Sequence, residues 1–319
     1  MGKKRMSKWT INNLVVMGAG AVGGYFGAMV DRHTSTQVYY IARGAHLEAM
    51  LLHGLRVNSE RESFKLQVTA SDDPRSVEAA DMILLGVKSY DTPQAIAQLK
   101  PIVEGQTQIL TLQNGIENYR KLVDAFGPDR VIQGFCRIGA SVPAPGTIAH
   151  STMGTITIGN PVNGMIQDRH KKVRELFDSA GIQCRFSEDI EHDIWVKFAW
   201  NCIFNMLTTV AFVKVDDLFE TEEAESLCYK LFDEIKRVAR AEEVELTDDD
   251  RDQIIDGARE LTDFKTSTYQ DREKGKTLEF EAFTGAVTRL AQQHDIEVPH
   301  HDTLYALLKL IDQNRNENL

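Results

Sequence analysis

No stretch of this sequence stays apolar for the roughly eighteen residues that a membrane span needs, so no transmembrane helix is expected. Cysteine is almost missing. Cys136, Cys184, Cys202 and Cys228 show neither CxxC spacing nor a paired-histidine pattern, which excludes a disulfide framework and a zinc site; they read as buried reduced thiols, and no metal is expected. Positive charge is in deficit: 36 basic against 47 acidic residues give a net charge of −11. That balance argues against nonspecific nucleic-acid binding and against an anionic membrane surface as partner. Internal repeats and low-complexity tracts are absent as well. The opening Met1-Gly2-Lys3-Lys4-Arg5-Met6-Ser7 is basic, but no hydrophobic signal region follows it, and Met6 stands where a myristoylation signal needs Ser or Thr. It reads as a tail ahead of the first strand of a cytoplasmic protein.

What is present is enough apolar material, 42% of 319 residues, for more than one core, and the length makes two domains the expectation. The organising stretch is Leu14-Val15-Val16-Met17-Gly18-Ala19-Gly20-Ala21-Val22-Gly23, followed by Gly24-Tyr25-Phe26. A short apolar strand runs into GxGxxG and continues as a helix, the context that gives this motif its meaning. Gly18 would allow the tight turn, Gly20 the approach of a diphosphate, and Gly23 close packing of helix on strand. The helix N-terminus would then favour the anion.

The second strand, Gln37–Ala42, ends at Arg43-Gly44, twenty residues after Gly23. A site for NAD places an acid here to hold the ribose 2′-hydroxyl. None is present nearby in the sequence, and the fork of Arg43 suits a 2′-phosphate, which favours NADP(H); the bland alternative is a surface arginine at a strand end. Two further strands, in 81–91 and 108–116, deliver Lys88 and Asn114 at their carboxyl ends, where open α/β sheets bind ligands. Singly, these residues read as a solvated charge and a turn-former; at equivalent ends of consecutive strands they read as a site. Residues 54–70 look like a small antiparallel hairpin or excursion, Ala140–Ile148 and Gly154–Gly159 like strands with turn chemistry between them, and 168–186 like a last helix and strand.

After Ser187 the apolar pattern is helical almost throughout, with Gly and Pro scarce. A long helix from about Asp189 through Asn205 carries Lys197, Asn201 and Asn205 at i, i+4 and i+8, one face among Trp195, Phe198, Trp200 and Phe204. Such a polar row is costly unless it lines a polar cleft. The acidic runs Glu220–Glu225 and Glu242–Asp250 read as first turns and ends of helices. The fold class is therefore α/β: an N-terminal Rossmann-type doubly wound sheet, 1–187, followed by an all-helical C-terminal domain, 188–319.

These pieces together resemble the ketopantoate reductase (2-dehydropantoate 2-reductase) family nearly end to end. The carriers are Gly18-Ala19-Gly20-Ala21-Val22-Gly23, Val87-Lys88-Ser89, Leu112-Gln113-Asn114-Gly115, Trp195-x-Lys197-x-x-x-Asn201-x-x-x-Asn205, Ser267-Thr268-Tyr269-Gln270-Asp271 and Glu279. The resemblance implies an oxidoreductase in which NADPH reduces ketopantoate to pantoate, a pantothenate precursor. It implies that Gly18 to Gly23, Arg43, Lys88, Asn114 and Ala140 hold the cofactor. Asn114, Lys197, Asn201, Asn205 and Ser267 would bind substrate, with Lys197 as proton donor and Glu279 as the active-site glutamate. Val215 and Phe264 stand where the family has asparagines, so the identity of the α-keto acid stays open. Other readings are a reductase of another bulky α-keto acid, an opine-type condensation, or an NADPH-sensing protein without turnover. The partner expected is a small-molecule α-keto acid, and a homodimer stays open.

Overall fold

The computed structural model describes residues 9–162 and 164–315; the Met1–Ser7 tail lies outside them. The described chain forms two compact units. The first comprises the residues up to Gln113 together with Asn118–Ile190; the second comprises Asn114–Glu117 and the residues from Glu191 onward.

The first unit opens with β1 (Asn13–Met17), α1 (Ala21–His33), β2 (Gln37–Ile41), α2 (Gly44–His53), β3 (Leu55–Ser59), β4 (Phe64–Leu66) and β5 (Thr69–Ser71). It continues through β6 (Met82–Leu85), α3 (Thr92–Leu99), β7 (Gln108–Thr111), α4 (Glu117–Phe126), β8 (Val131–Ala144), β9 (Thr147–Gly159), α5 (Asp168–Ser179) and β10 (Cys184–Phe186). One sheet joins all of these strands in the order β4-β3-β9-β8-β7-β6-β1-β2-β5, with β10 beside β9. The run β8-β7-β6-β1-β2-β5 is parallel throughout. Alternation along each strand explains why both faces are covered: Leu14 and Val16 of β1 enter one core with Phe26 of α1 and Phe177 of α5, while Val15 and Met17 enter another with Leu99 of α3 and Leu122 of α4. From β1 the chain goes to β2 on one side and later returns to β6 on the other. The end of β1 is therefore the topological switch point of the sheet.

Two strand readings change in detail. The 54–70 segment is not an excursion: β3 pairs with β4 as a hairpin but also joins the sheet beside β9, and β5 extends it beside β2. The stretch 140–148 is not one strand either. Gly146, at φ +71°, turns the chain between β8 and β9, which form a long antiparallel pair with bulges at Arg137/Ile138 and Gly139/Ala140.

The second unit is helical: α6 (Ile190–Trp200), α7 (Met206–Ala211), α8 (Glu222–Ala241), α9 (Asp248–Arg259), α10 (Ser267–Glu273), α11 (Thr284–Gln293) and α12 (Pro299–Gln313). Its core includes Phe198, Phe204, Phe232, Ile255, Phe283 and Leu308. The acidic runs begin helices as their chemistry predicts. Thr221 caps α8 ahead of Glu222 and Glu223, and Thr247 and Asp250 form a reciprocal capping box on α9. The long polar-faced helix, however, is interrupted: Asn201–Asn205 adopt a wider π-type turn between α6 and α7. Among the described residues no helix is long and apolar enough to cross a membrane.

A buried carboxylate locks α8 to α12. Glu234, 2% exposed, accepts the backbone N–H groups of His300 and His301, each at 3.0 Å, and their Nδ1 atoms at 2.6 and 2.9 Å. It thus satisfies donors that the first turn of α12 leaves open. Burial opposes its charge, but the hydrogen bonds from His301 and His300 outweigh burial and hold the carboxyl at about 2, against an ordinary 4.5. A depressed carboxyl contributes stability above its unfolded value and loses it as pH falls. The contribution of Glu234 is therefore complete above pH 4.5 and fades toward pH 2. Glu234→Ala is expected to lower unfolding stability by about 2–4 kcal/mol at neutral pH. In urea melts from neutral pH down to acid, that deficit should shrink below pH 4.5; a deficit that does not change with pH would contradict the assignment.

Candidate active site

The glycine turn sits at the switch point, and its three glycines have distinct surroundings. Gly18 has φ +95°, and a Cβ there would stand 2.7 Å from Val87 N. At Gly23 a Cβ would meet the Gly18 carbonyl oxygen at 2.3 Å and Val16 Cγ1 at 3.0 Å. At Gly20 a Cβ would meet nothing within 4 Å. Two glycines are thus required by the protein's own packing, while the third faces open space. The internal ladder of α1 starts with Gly24 N donating to Gly20 O at 2.8 Å, and its first turn carries no acidic side chain. The N–H groups of Ala21, Val22 and Gly23 precede that ladder, which is the chemistry a diphosphate needs. These residues fit the group.

The turn is braced from α2. His46 Nε2 lies 2.9 Å from Ala19 O, and its Nδ1 accepts from Gly146 N at 3.1 Å. The ring is therefore a neutral Nε2–H donor, in keeping with the burial that lowers its pKa despite the Ala19 bond. Gly18 N and Ala19 N both donate to Ile41 O, which ties the turn to the end of β2. Two residues on stands Arg43, with its side chain exposed and ion-paired to Asp91. Ala140 lies on β8 at the bulge, opposite His150, whose ring stacks on Tyr25 of α1 at 4.3 Å.

Half-buried Lys88 follows β6 and leads into a short turn, Ser89–Asp91. Beneath this segment lies a buried network that spacing alone did not reveal. Gln113 Nε2 donates to Val87 O at 3.0 Å and to Thr92 Oγ1 at 2.8 Å; Thr92 Oγ1 donates to Asn118 Oδ1 at 2.9 Å, and Asn118 Nδ2 donates to Ser89 Oγ at 3.2 Å. It couples the ends of β6 and β7, which carry Lys88 and Asn114. Gln113 stood in the motif without a role; its buried amide is that role.

In the second unit, Lys197 Nζ donates to Asn114 Oδ1 at 2.9 Å, so two residues 83 positions apart meet. Asn201 and Asn205 are buried, at 7% and 1% exposure. Asn205 Nδ2 faces Ser267 Oγ and Thr268 Oγ1, each at 3.4 Å, and its buried Oδ1 has no hydrogen-bond partner among the described residues. Thr266 positions that pair, since its hydroxyl caps α10 and meets Thr208 Oγ1 of α7 at 2.9 Å. Glu279 is buried at 5% exposure, just ahead of the turn Phe280–Ala282. The two departures from the family pattern are neighbours: Val215 N donates to Phe264 O at 3.1 Å, and the Phe264 ring packs edge-on to Trp200 at 6.2 Å.

A glycine turn at a sheet switch point, together with a helical unit that carries a lysine and two buried asparagines in one row, describes a dinucleotide-binding oxidoreductase. Residues 14–163 match the family described as ketopantoate reductase PanE/ApbA, and residues 189–312 match its C-terminal part. The chain belongs to the ketopantoate reductase family and is an oxidoreductase. It is 29% identical to the 2-dehydropantoate 2-reductase of Mesorhizobium japonicum, over 95% of this chain and 98% of that one. The Nostoc enzyme of the same name is 28% identical, over 95% and 97%. The crystal structure of a PanE/ApbA family ketopantoate reductase from Ralstonia eutropha superposes with a TM-score of 0.88 at 31% identity, covering 95% of this chain and 99% of that one.

The glycine surroundings predict opposite behaviour for two similar changes. Gly23→Ala must displace backbone and is expected to destabilise the protein by about 1–3 kcal/mol. Gly20→Ala is expected to keep the melting temperature near the wild type while losing nucleotide binding, read by nucleotide fluorescence. Wild-type binding in Gly20→Ala would show that no diphosphate approaches there.

Proposed function

We propose that this protein is an NADPH-dependent reductase of an α-keto acid, with 2-dehydropantoate as substrate and pantoate as product. The observation that carries the reading is the Lys197–Asn114 hydrogen bond, which holds an ammonium at the end of a buried polar row. When bound, the nicotinamide nucleotide supplies the hydride. The turn from Gly18 to Gly23 receives its diphosphate, Arg43 its 2′-phosphate, and Lys88, Asn114 and Ala140 complete the cofactor set. Reduction of a ketone puts negative charge on the carbonyl oxygen, and Lys197 is the group that can stabilise that charge and deliver a proton to it. Asn114 aims the ammonium through its Oδ1. Asn201, Asn205 and Ser267 bind the polar end of the keto acid, and the unpaired Asn205 Oδ1 supports this, as an acceptor ready for a substrate hydroxyl. Glu279 serves as the acidic partner, either of the ammonium or of a substrate hydroxyl.

A second reading concerns the substrate alone. Val215 and Phe264, joined through the backbone and packed by Trp200, replace two amides with apolar groups. That exchange favours a bulkier, less polar α-keto acid over ketopantoate.

Both readings are tested by following NADPH oxidation against a panel of α-keto acids. Ketopantoate should be turned over; preference for an aromatic or long-chain keto acid would select the second reading, and no turnover of any would remove both. Lys197→Ala should lower kcat by about 10²–10⁴-fold with NADPH binding nearly intact. Near-normal turnover in that variant would exclude Lys197 as the proton donor.

A further inference from the structure

An acid missing from the end of β2 in the sequence is supplied there by the fold. Asp91, 48 residues beyond Arg43, brings its carboxylate to the Arg43 guanidinium. The pairing is not a by-product of helix capping. Asp91 occupies the N-cap position of α3, where an aspartate ordinarily accepts an N–H bond, yet its side chain makes no cap hydrogen bond. It is turned toward Arg43 instead. The two partners also differ in exposure: the Arg43 side chain is 70% exposed and that of Asp91 22%. The carboxylate is therefore the held member, and the guanidinium keeps donors for solvent or ligand.

We infer that Asp91 sets the cofactor preference of this enzyme. Its carboxylate occupies a donor of Arg43 and places a negative charge beside the position of a 2′-phosphate, while offering an acceptor to a ribose 2′-hydroxyl. Arg43 alone would favour NADPH strongly. With Asp91 opposite it, the preference narrows and NADH is bound as well. The inference rests on the reductase reading above, because it assumes that a nicotinamide nucleotide occupies the glycine turn.

The test titrates NADPH and NADH separately into wild type, Asp91→Asn, Asp91→Glu, Arg43→Ala and the Arg43→Ala/Asp91→Asn double variant, following nucleotide fluorescence, with melting temperatures as fold controls. Wild type should bind both nucleotides. Asp91→Asn should bind NADPH about five- to tenfold more tightly, the scale of one relieved like-charge contact at a partly exposed site, with NADH unchanged or weaker. The gain should shrink at high salt. It should be absent from the double variant, because it runs through Arg43. Asp91→Glu, which keeps the charge, should keep the wild-type ratio. In turnover, Asp91→Asn should lower the KM for NADPH with kcat unchanged. Weaker NADPH binding in Asp91→Asn, an equal change for both nucleotides, or a gain that survives loss of Arg43 would each overturn the inference. Wild type that binds neither nucleotide would instead overturn the reductase reading itself, and this inference with it.

Discussion

The first unit depends on one close approach, that of Gly23 to the carbonyl of Gly18. Any side chain at Gly23 would overlap that oxygen, and Gly27, one turn on, would push into Val16 of β1. The missing side chains let α1 lie directly on β1, with its N-terminus at the switch point of the sheet. Gly86, at the exit of β6, also passes close to Gly23. Two segments distant in sequence are thus held against one turn, and the helix dipole is aimed at the place where chains on either side diverge. His46 and the Ile41 carbonyl then brace the turn from the neighbouring β2–α2 segment.

Around that contact the protein uses polar groups inside apolar cores, and it pairs several of them with one another. Gln113, Thr92, Asn118 and Ser89 form a chain of hydrogen bonds in which each buried donor finds an acceptor. Such networks fix geometry because any displacement leaves a buried polar group unpaired, a loss of about 1–3 kcal/mol each. In the second unit, Thr208 and Thr266 do the same for α7 and α10. Asn205 Oδ1, at the end of the π-type turn, is one of the buried side-chain atoms left without a partner among the described residues. A widened turn breaks the regular ladder, and such turns recur at functional sites. A polar site explains both departures together.

Much of the fold was legible because it follows from short-range rules. The alternation in Leu14–Met17 and Met82–Leu85 sorts residues onto two faces whatever covers them, and the threonine-plus-acid pattern at Thr247–Asp250 begins a helix by local hydrogen bonding. The candidate site residues were legible only as a list: the glycines, Lys88, Asn114, Lys197 and Asn205 stood out by motif, and Ser267 through the family resemblance alone. Their neighbours did not. His46, Gln113 and Thr266 carry no signal in spacing, because each matters only through a partner brought near by the fold. The π-type turn was equally hidden, since i, i+4 spacing assumes the regular helix that Asn201–Asn205 abandon.

The sequence by itself determined the strand–turn–helix at Gly18–Gly23, the change from mixed to helical structure after Ser187, and the membership of the polar row. Each is a property of residues within a few turns of one another. The tertiary structure alone decided that Asp91 answers Arg43, that Asn114 holds Lys197, and that Val215 and Phe264 stand side by side. Charges and hydrogen bonds act through distance in space, and the separations of 48, 83 and some fifty residues that they bridge are set by packing, not by pattern.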